Sequence, residues 1–372
     1  MGIRYEKDER RAVNGPVIFF TGINADNAII NAINDAFISK LSFYAYRLPG
    51  ETTATIGASE GFLYGIKEPG FVISQFNPEI DYITIPFKNL KSENLKIEDS
   101  YCFPKQSTSK EEYENEVREI ISGAQRKEWE KIVAARVKVI EKETNPGEIF
   151  NNLCNYNSDA FIYCFSTPVT GCWIGASPEL LLKAHKGEFY SMALAGTKSR
   201  DENSNDSESI SKNWDKKNIH EQEVVTEYIN KVFSSHGILV STGELHELNA
   251  GKVKHLCTEI KGTLKESFNA DRLSSLLHHL SPTPALCGLP KEKALEFISS
   301  HENFSRGCYG GFCGPFKDTE DFYFHVNLRC AGLIEEKIFL YAGGGITAMS
   351  DPIKEWEETE LKLSTMEKGL IY

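Results

Sequence analysis

In the segment Asp351 to Met366, DPIKEWEETELKLSTM, Glu355, Glu358 and Lys362 stand at i, i+3 and i+7 and so share one face of a helix. Two carboxylates and an ammonium are thereby held rigidly together. The stripe is too charged for a core, and taken alone it reads as a solvated ion-paired face. Asp351 is placed to cap the helix, Pro352 fits its first position, and Trp356 and Leu363 mark a separate apolar face that anchors it. A second cationic group lies on a strand. In Lys131 to Ile140, KIVAARVKVI, the residues Val133, Ala135, Val137 and Val139 share one face, and Lys131 opens that face, where it is partly desolvated.

Two more carboxylates and an arginine stand in informative places. The helical stripe Val225, Tyr228, Ile229, Val232, extended back by four residues, reaches Glu221; an inward carboxylate must be paired, protonated or bound to a metal. His185-Lys186-Gly187-Glu188 reads as a hairpin turn, which sets Glu179 opposite about Leu194, beside Ala195-Gly196-Thr197. A further hairpin joins Asp321–Leu333 to Ile338–Gly345 through Glu335-Glu336-Lys337, with Phe322, Phe324, Val326 and Leu328 alternating with Tyr323, His325, Asn327 and Arg329. Its turn sets Arg329 opposite Ala342 or Gly343, and a guanidinium beside bare backbone N–H groups suits a carboxylate. The Gly343-Gly344-Gly345 run belongs to neither a GxxxxGK[ST] nor a GxGxxG motif.

The elements that carry these groups are ordinary. The 372 residues are 41% hydrophobic and 11% aromatic, enough for a substantial core, and a formal charge of −12 argues against nucleic-acid binding. The N-terminus MGIRYEKDERR has no signal-peptide core and no run approaches a membrane span, so the expectation is a cytoplasmic protein. Nine scattered cysteines show no CxxC and no zinc spacing and are expected to be reduced core residues; His278–His279 on a leucine-rich helix is expected to be structural. Residues 1–105 read as variable strands, with runs at Val17–Phe20, Phe71–Ser74 and Tyr82–Ile85, and 106–372 as the motif-bearing part of one domain. Lys110–Gly123 reads as a helix, and the polar run Arg200–Ser211 as a mobile loop.

Nine segments in order resemble the chorismate-utilising enzymes: KIVAAR at 131–136, GASPELLL at 175–182, ALAGT at 193–197, HEQEVV at 220–225, PTPALCG at 282–288, YGGFCG at 309–314, NLRCAGL at 327–333, YAGGGI at 341–346 and EWEETELKLST at 355–365. The pattern is most similar to isochorismate synthase. The resemblance implies an α/β (α+β) fold, a single large domain of antiparallel sheets with flanking helices, as in anthranilate synthase component I. It implies a Mg2+-dependent isomerase that adds water at C2 of chorismate and expels the 4-hydroxyl. Position by position, Lys131 matches the general base, Glu179 the general acid, Glu221 and Glu358 the Mg2+ ligands, and Glu355 a carboxylate acting through metal-bound water. Gly196, Thr197, Arg329, Gly343 and Lys362 match substrate-binding positions, with Tyr309 and Ala285 as further pocket members.

The chemistry is consistent with those roles. Desolvation lets a lysine serve as a base, burial keeps a glutamate protonated as an acid, and Mg2+ takes hard oxygen ligands completed by water. Chorismate is a dicarboxylate, which accounts for Arg329 and Lys362 in an acidic chain. Ala195 stands where aminodeoxychorismate synthases commonly carry a nucleophilic lysine and anthranilate synthases typically threonine, so activated water is the expected nucleophile. Two positions depart from the isochorismate pattern: Ser281 replaces the histidine of HPTPAL, and Asn218 stands where some relatives have a glutamate. Salicylate synthase, which continues to pyruvate elimination, shares nearly all these residues. A non-catalytic dicarboxylate-binding relative would be expected to lack Lys131 or Glu179. The expected product feeds menaquinone or siderophore synthesis, and a monomer without a glutamine amidotransferase subunit is expected.

Overall fold

The structure, a computed structural model, describes residues 20–24, 27–88, 99–199, 214–250, 253–264 and 268–371. Among these, the strands form two sheets in which every pairing is antiparallel. The first sheet runs Phe20–Asn24, Thr53–Ser59, Ser42–Arg47, Phe161–Thr167, Gly171–Ser177, Cys330–Ile334, Lys337–Ile346, Lys131–Glu141, Gly288–Leu289. The second runs Ile238–Thr242, Val253–Leu264, Glu188–Ser199, Leu180–His185, Asp321–Val326, Phe312–Asp318, Gly70–Ile73, Ile83–Pro86, Leu63–Tyr64, and His246–Ala250 pairs with Val253–Leu264. The mixed α/β architecture agrees with the expectation.

Alternation within the strands explains the layers. Ala135 and Val137 point between the sheets, into a cluster with Phe71, Ile73, Phe161, Tyr163, Phe165, Trp173 and Tyr341. Ile132 and Ala134 point the other way and pack with Tyr113, Val117 and Ile120 of the helix Lys110–Gln125. Helices Asn27–Ile38 and Pro146–Tyr156 cover another part of the first sheet, and helices Lys216–Ser235 and Ala270–Leu280 cover the second. The two sheets therefore pack face to face with helices on the outside.

Several expectations are corrected here. The N-terminal part is not strands alone: Asn27–Ile38 is helical, because Ile29, Ala32, Ile33 and Ala36 form one buried face despite the asparagines around them. Val17–Phe20 falls largely outside the described residues, whose first strand is Phe20–Asn24, and the run Arg200–Ser211 lies outside them entirely. Asp321–Leu333 is not one strand. It breaks at 327–329, where Arg329 takes φ 48°, and two residues of its supposed polar face are buried, Asn327 accepting from Tyr163 and His325 stacked on Phe161 at 4.4 Å. Eight cysteines are buried and Cys102 is exposed, while His278 and His279 face outward. No helix among the described residues is long and apolar enough to cross a membrane.

Candidate active site

Two of the connections that carry the chain from one sheet to the other lie side by side. Pro178-Glu179 links Gly171–Ser177 of the first sheet to Leu180–His185 of the second, while Asn327-Leu328-Arg329 returns from Asp321–Val326 to Cys330–Ile334. The N–H of Val326 donates to Glu179 O at 3.0 Å and that of Ala176 to Arg329 O at 3.1 Å. A sheet switch of this kind leaves a gap between the layers, and both side chains enter it. Glu179 and Arg329 line one cleft with Gly196, Glu221, Ala285, Tyr309, Gly343, Glu358 and Lys362. Ala195 lies there too, contributing only a methyl group.

Lys131 is buried and is not part of this cleft wall; it lines an adjoining pocket and donates to Glu221 Oε1, and Glu221 lines both. Glu221 is held by the helix Lys216–Ser235, whose Val225, Ile229 and Val232 are buried, so the inward carboxylate is paired as its position requires. The three consecutive glycines make room from both sides of the sheet. A Cβ on Gly343 would lie 2.9 Å from the Tyr309 hydroxyl, one on Gly344 3.0 Å from Glu355 Oε2, and one on Gly345 2.4 Å from Lys131 Cε and 2.6 Å from Glu221 Oε1. Gly345→Ala therefore has to displace the Lys131–Glu221 pair. Its kcat/KM is expected to fall roughly tenfold, the scale of an overpacked methyl group. Gly61→Ala, where a Cβ meets nothing within 4 Å, serves as the control, and equal rates in both variants would show that this space is not needed.

Glu179 is buried, and desolvation pushes its carboxyl up to about 8 against the opposing pull of Lys131 and Arg329. It is therefore largely protonated at neutral pH. Burial also lowers Arg329, to about 10, so the guanidinium keeps its charge there. Arg329 Nη2 lies 2.6 Å from His255 Nε2, and His255 Nδ1 lies 2.8 Å from Gly196 O. Gly196, at φ 72°, belongs to a bulge: Ala195 pairs with Leu256 and Lys198 with Lys254, leaving Gly196 and Thr197 opposite His255 alone. The side chain of Thr197 is outside the described residues.

The C-terminal helix Pro352–Ile371 begins as expected, with Asp351 Oδ1 accepting from the N–H groups of Ile353 and Lys354 at 3.0 Å. Arg136 fixes it to the strand of Lys131: its guanidinium lies 3.8 Å from the centre of the Trp356 ring, Nε donates to Thr359 Oγ1 at 2.7 Å, and Nη2 pairs with Glu360. The acidic stripe then divides. Glu358 enters the cleft and pairs with Lys362 at 2.8 Å, while Lys362 Nζ donates to Gly343 O at 2.7 Å. Glu355 is buried against Gly344, on the helix-covered side of the sheet, and is not part of the cleft wall.

Among the described residues no three His, Cys, Asp or Glu side chains converge in a metal-binding group. The donor chemistry in the cleft still fits a hard divalent ion. Glu221 and Glu358 supply two carboxylates, each now neutralised by a lysine, and Mg2+ completes such a shell with water and ligand oxygens.

Sequence reasoning missed two supports. His255 is one. The other is Arg306, buried in an ion pair with Glu302, which donates to Val133 O at 2.7 Å and Leu286 O at 2.9 Å and so clamps the Lys131 strand to the loop carrying Ala285. A charged pair four residues apart in ENFSR is the only trace of it in the sequence, and it resembles any surface pair.

The profile described as chorismate binding enzyme matches residues 74–371. Isochorismate synthase EntC of Escherichia coli (strain K12) is 32% identical over 285 residues, which are 74% of this chain and 70% of that protein. The salicylate biosynthesis isochorismate synthase of Pseudomonas aeruginosa is 30% identical over 263 residues, 70% of this chain and 54% of its own. The structure of MenF, the menaquinone-specific isochorismate synthase of Escherichia coli, superposes with a TM-score of 0.77 over 95% of this chain and 94% of that one, and at 20% identity it supports the fold alone. With most of its length inside the profile, the chain belongs to the chorismate binding enzymes.

Proposed function

We propose that the protein is a Mg2+-dependent isochorismate synthase, an isomerase of the cytoplasm that needs no amidotransferase partner and whose product enters menaquinone or siderophore synthesis. One observation carries this reading: a buried, largely protonated Glu179 shares a cleft with cationic Arg329 and Lys362, Lys131 is tied to the Glu221 of that cleft from the adjoining pocket, and position 195 offers no nucleophile. Water is then the group that adds. Its oxygen bonds to C2 of chorismate as Lys131 takes its proton, the two ring double bonds shift, and the C4–O bond breaks as Glu179 gives its proton to the departing hydroxyl. One water enters and one leaves. Arg329 and Lys362 bind the carboxylates, and Tyr309, Ala285 and Gly343 shape the wall beside the ring. Mg2+, held by Glu221 and Glu358, would supply the charge that orients the ring carboxylate; Glu355, on the other side of the glycine run, is left out of that shell.

Product analysis tests this directly. Chorismate should be converted to isochorismate, with activity lost in chelator and returned by Mg2+. Stoichiometric pyruvate and salicylate would instead assign a salicylate synthase, and full turnover after exhaustive metal removal would refute the role of the metal.

A further inference from the structure

His255 has no part in the acid–base chemistry, yet it lies in the cleft wall between two groups assigned to the substrate. The carbonyl of Gly196 can only accept, so Nδ1 of His255 is the donor in the 2.8 Å contact. Burial and the neighbouring Arg329 drive the imidazole down to about 3, so the ring is neutral and Nε2 is left as an acceptor. Arg329 Nη2 donates to it at 2.6 Å. The tautomer is therefore set by the bulge, and the bulge exists because Gly196 adopts φ 72° opposite His255. Arg329 needs such a guide, since it sits at φ 48° in the connection between sheets rather than in a strand ladder.

We propose that His255 is a positioning residue, tying the Arg329 guanidinium to the Gly196 bulge and so setting where that cation meets a substrate carboxylate. The inference rests on the reading of the cleft as a chorismate site. It makes the bulge and the arginine one device, in which the histidine transmits the position of the Gly196 backbone to the charge that binds the anion.

Two substitutions separate the two hydrogen bonds. In His255→Asn the side-chain amide stands where Nδ1 stands and keeps the bond to Gly196, but it is too short to accept from Arg329. In His255→Gln the amide oxygen reaches the Nε2 position and accepts from Arg329. H255N is expected to raise the KM for chorismate about tenfold with kcat within about twofold, the scale of losing one hydrogen bond to a charged group. H255Q keeps the bond to Arg329 but loses the anchor on Gly196, so it too is expected to raise KM about tenfold. In an Arg329→Lys background, H255N should add little to the defect already present. A wild-type KM in H255N or in H255Q, or an undiminished tenfold effect beside R329K, would each overturn the proposal. If H255N does not fold, H255Q with and without R329K decides: a tenfold rise in the single variant that shrinks beside R329K supports it, and a near-wild-type KM overturns it. Failure of the wild-type enzyme to turn over chorismate would overturn the functional reading, whereas normal wild-type turnover with an unaffected H255N would overturn the positioning role alone.

Discussion

Lys131→Arg should lower kcat by roughly 100-fold or more, the usual contribution of a general base. Arginine keeps the positive charge that Lys131 presents to Glu221, so a purely electrostatic role would survive the change. It cannot readily give up its proton, and a role in activating water would not survive. The guanidinium is also bulkier, and the neighbouring Gly345 leaves no spare volume on that side. Lys131→Met, which removes both charge and proton while keeping a slim chain, controls for the size effect. A slow Met variant beside a fast Arg variant would make Lys131 a counterion and would leave the base unassigned.

Glu179→Gln should cause a loss of similar size, roughly 100-fold in kcat, while chorismate still binds, because the amide keeps the shape and loses the transferable proton. Calorimetric titration beside the rate measurements tests the retained binding. The pH dependence has a definite sign. Burial holds Glu179 at about 8, so the acid form prevails below that pH and kcat/KM should fall as pH rises through about 8. Stability follows the same proton. The folded state binds it more tightly than the unfolded chain, so this group's contribution is complete below the ordinary carboxylate range, declines as pH climbs toward 8, and levels off above. Glu179→Gln should remove that decline, and its melting temperature relative to wild type should therefore rise between pH 5 and pH 9. An unchanged difference in melting temperature across that range would place the raised carboxyl elsewhere.

Much of this site could be read from local rules. The helix Pro352–Ile371 declares its start through Asp351 and Pro352, and the strand Lys131–Glu141 declares its faces through alternation. The tight turn at Glu335-Glu336 fixes the pairing of Leu333 with Ile338 and of Ala331 with Leu340, and so brings Arg329, just before the strand, to the level of the glycine run. What escaped depends on contacts between distant segments. Alternation from Phe322 to Leu328 continues smoothly through a point where the chain leaves one sheet, because either layer can bury the apolar residues. Glu355 and Glu358 share a helical stripe, but the helix lies along the sheet, and the two carboxylates end on different sides of the glycine run. His255 reads as an ordinary strand residue in KVKHLC; its importance comes from a bulge in the neighbouring strand that no local pattern discloses.

The paired connections at Glu179 and Arg329 also bear on how the molecule acquires activity during folding. Each sheet can complete much of its own ladder from hairpins, such as Leu180–His185 with Glu188–Ser199 or Cys330–Ile334 with Lys337–Ile346. The acid and the guanidinium are far apart in sequence and meet when Leu180–His185 pairs with Asp321–Val326 and Gly171–Ser177 with Cys330–Ile334, pairings that incur the entropy of closing a long loop. A refolding chain can therefore hold its local hairpins while its cleft is still unmade, and catalysis, rather than hairpin formation, reports the long-range pairing that joins them.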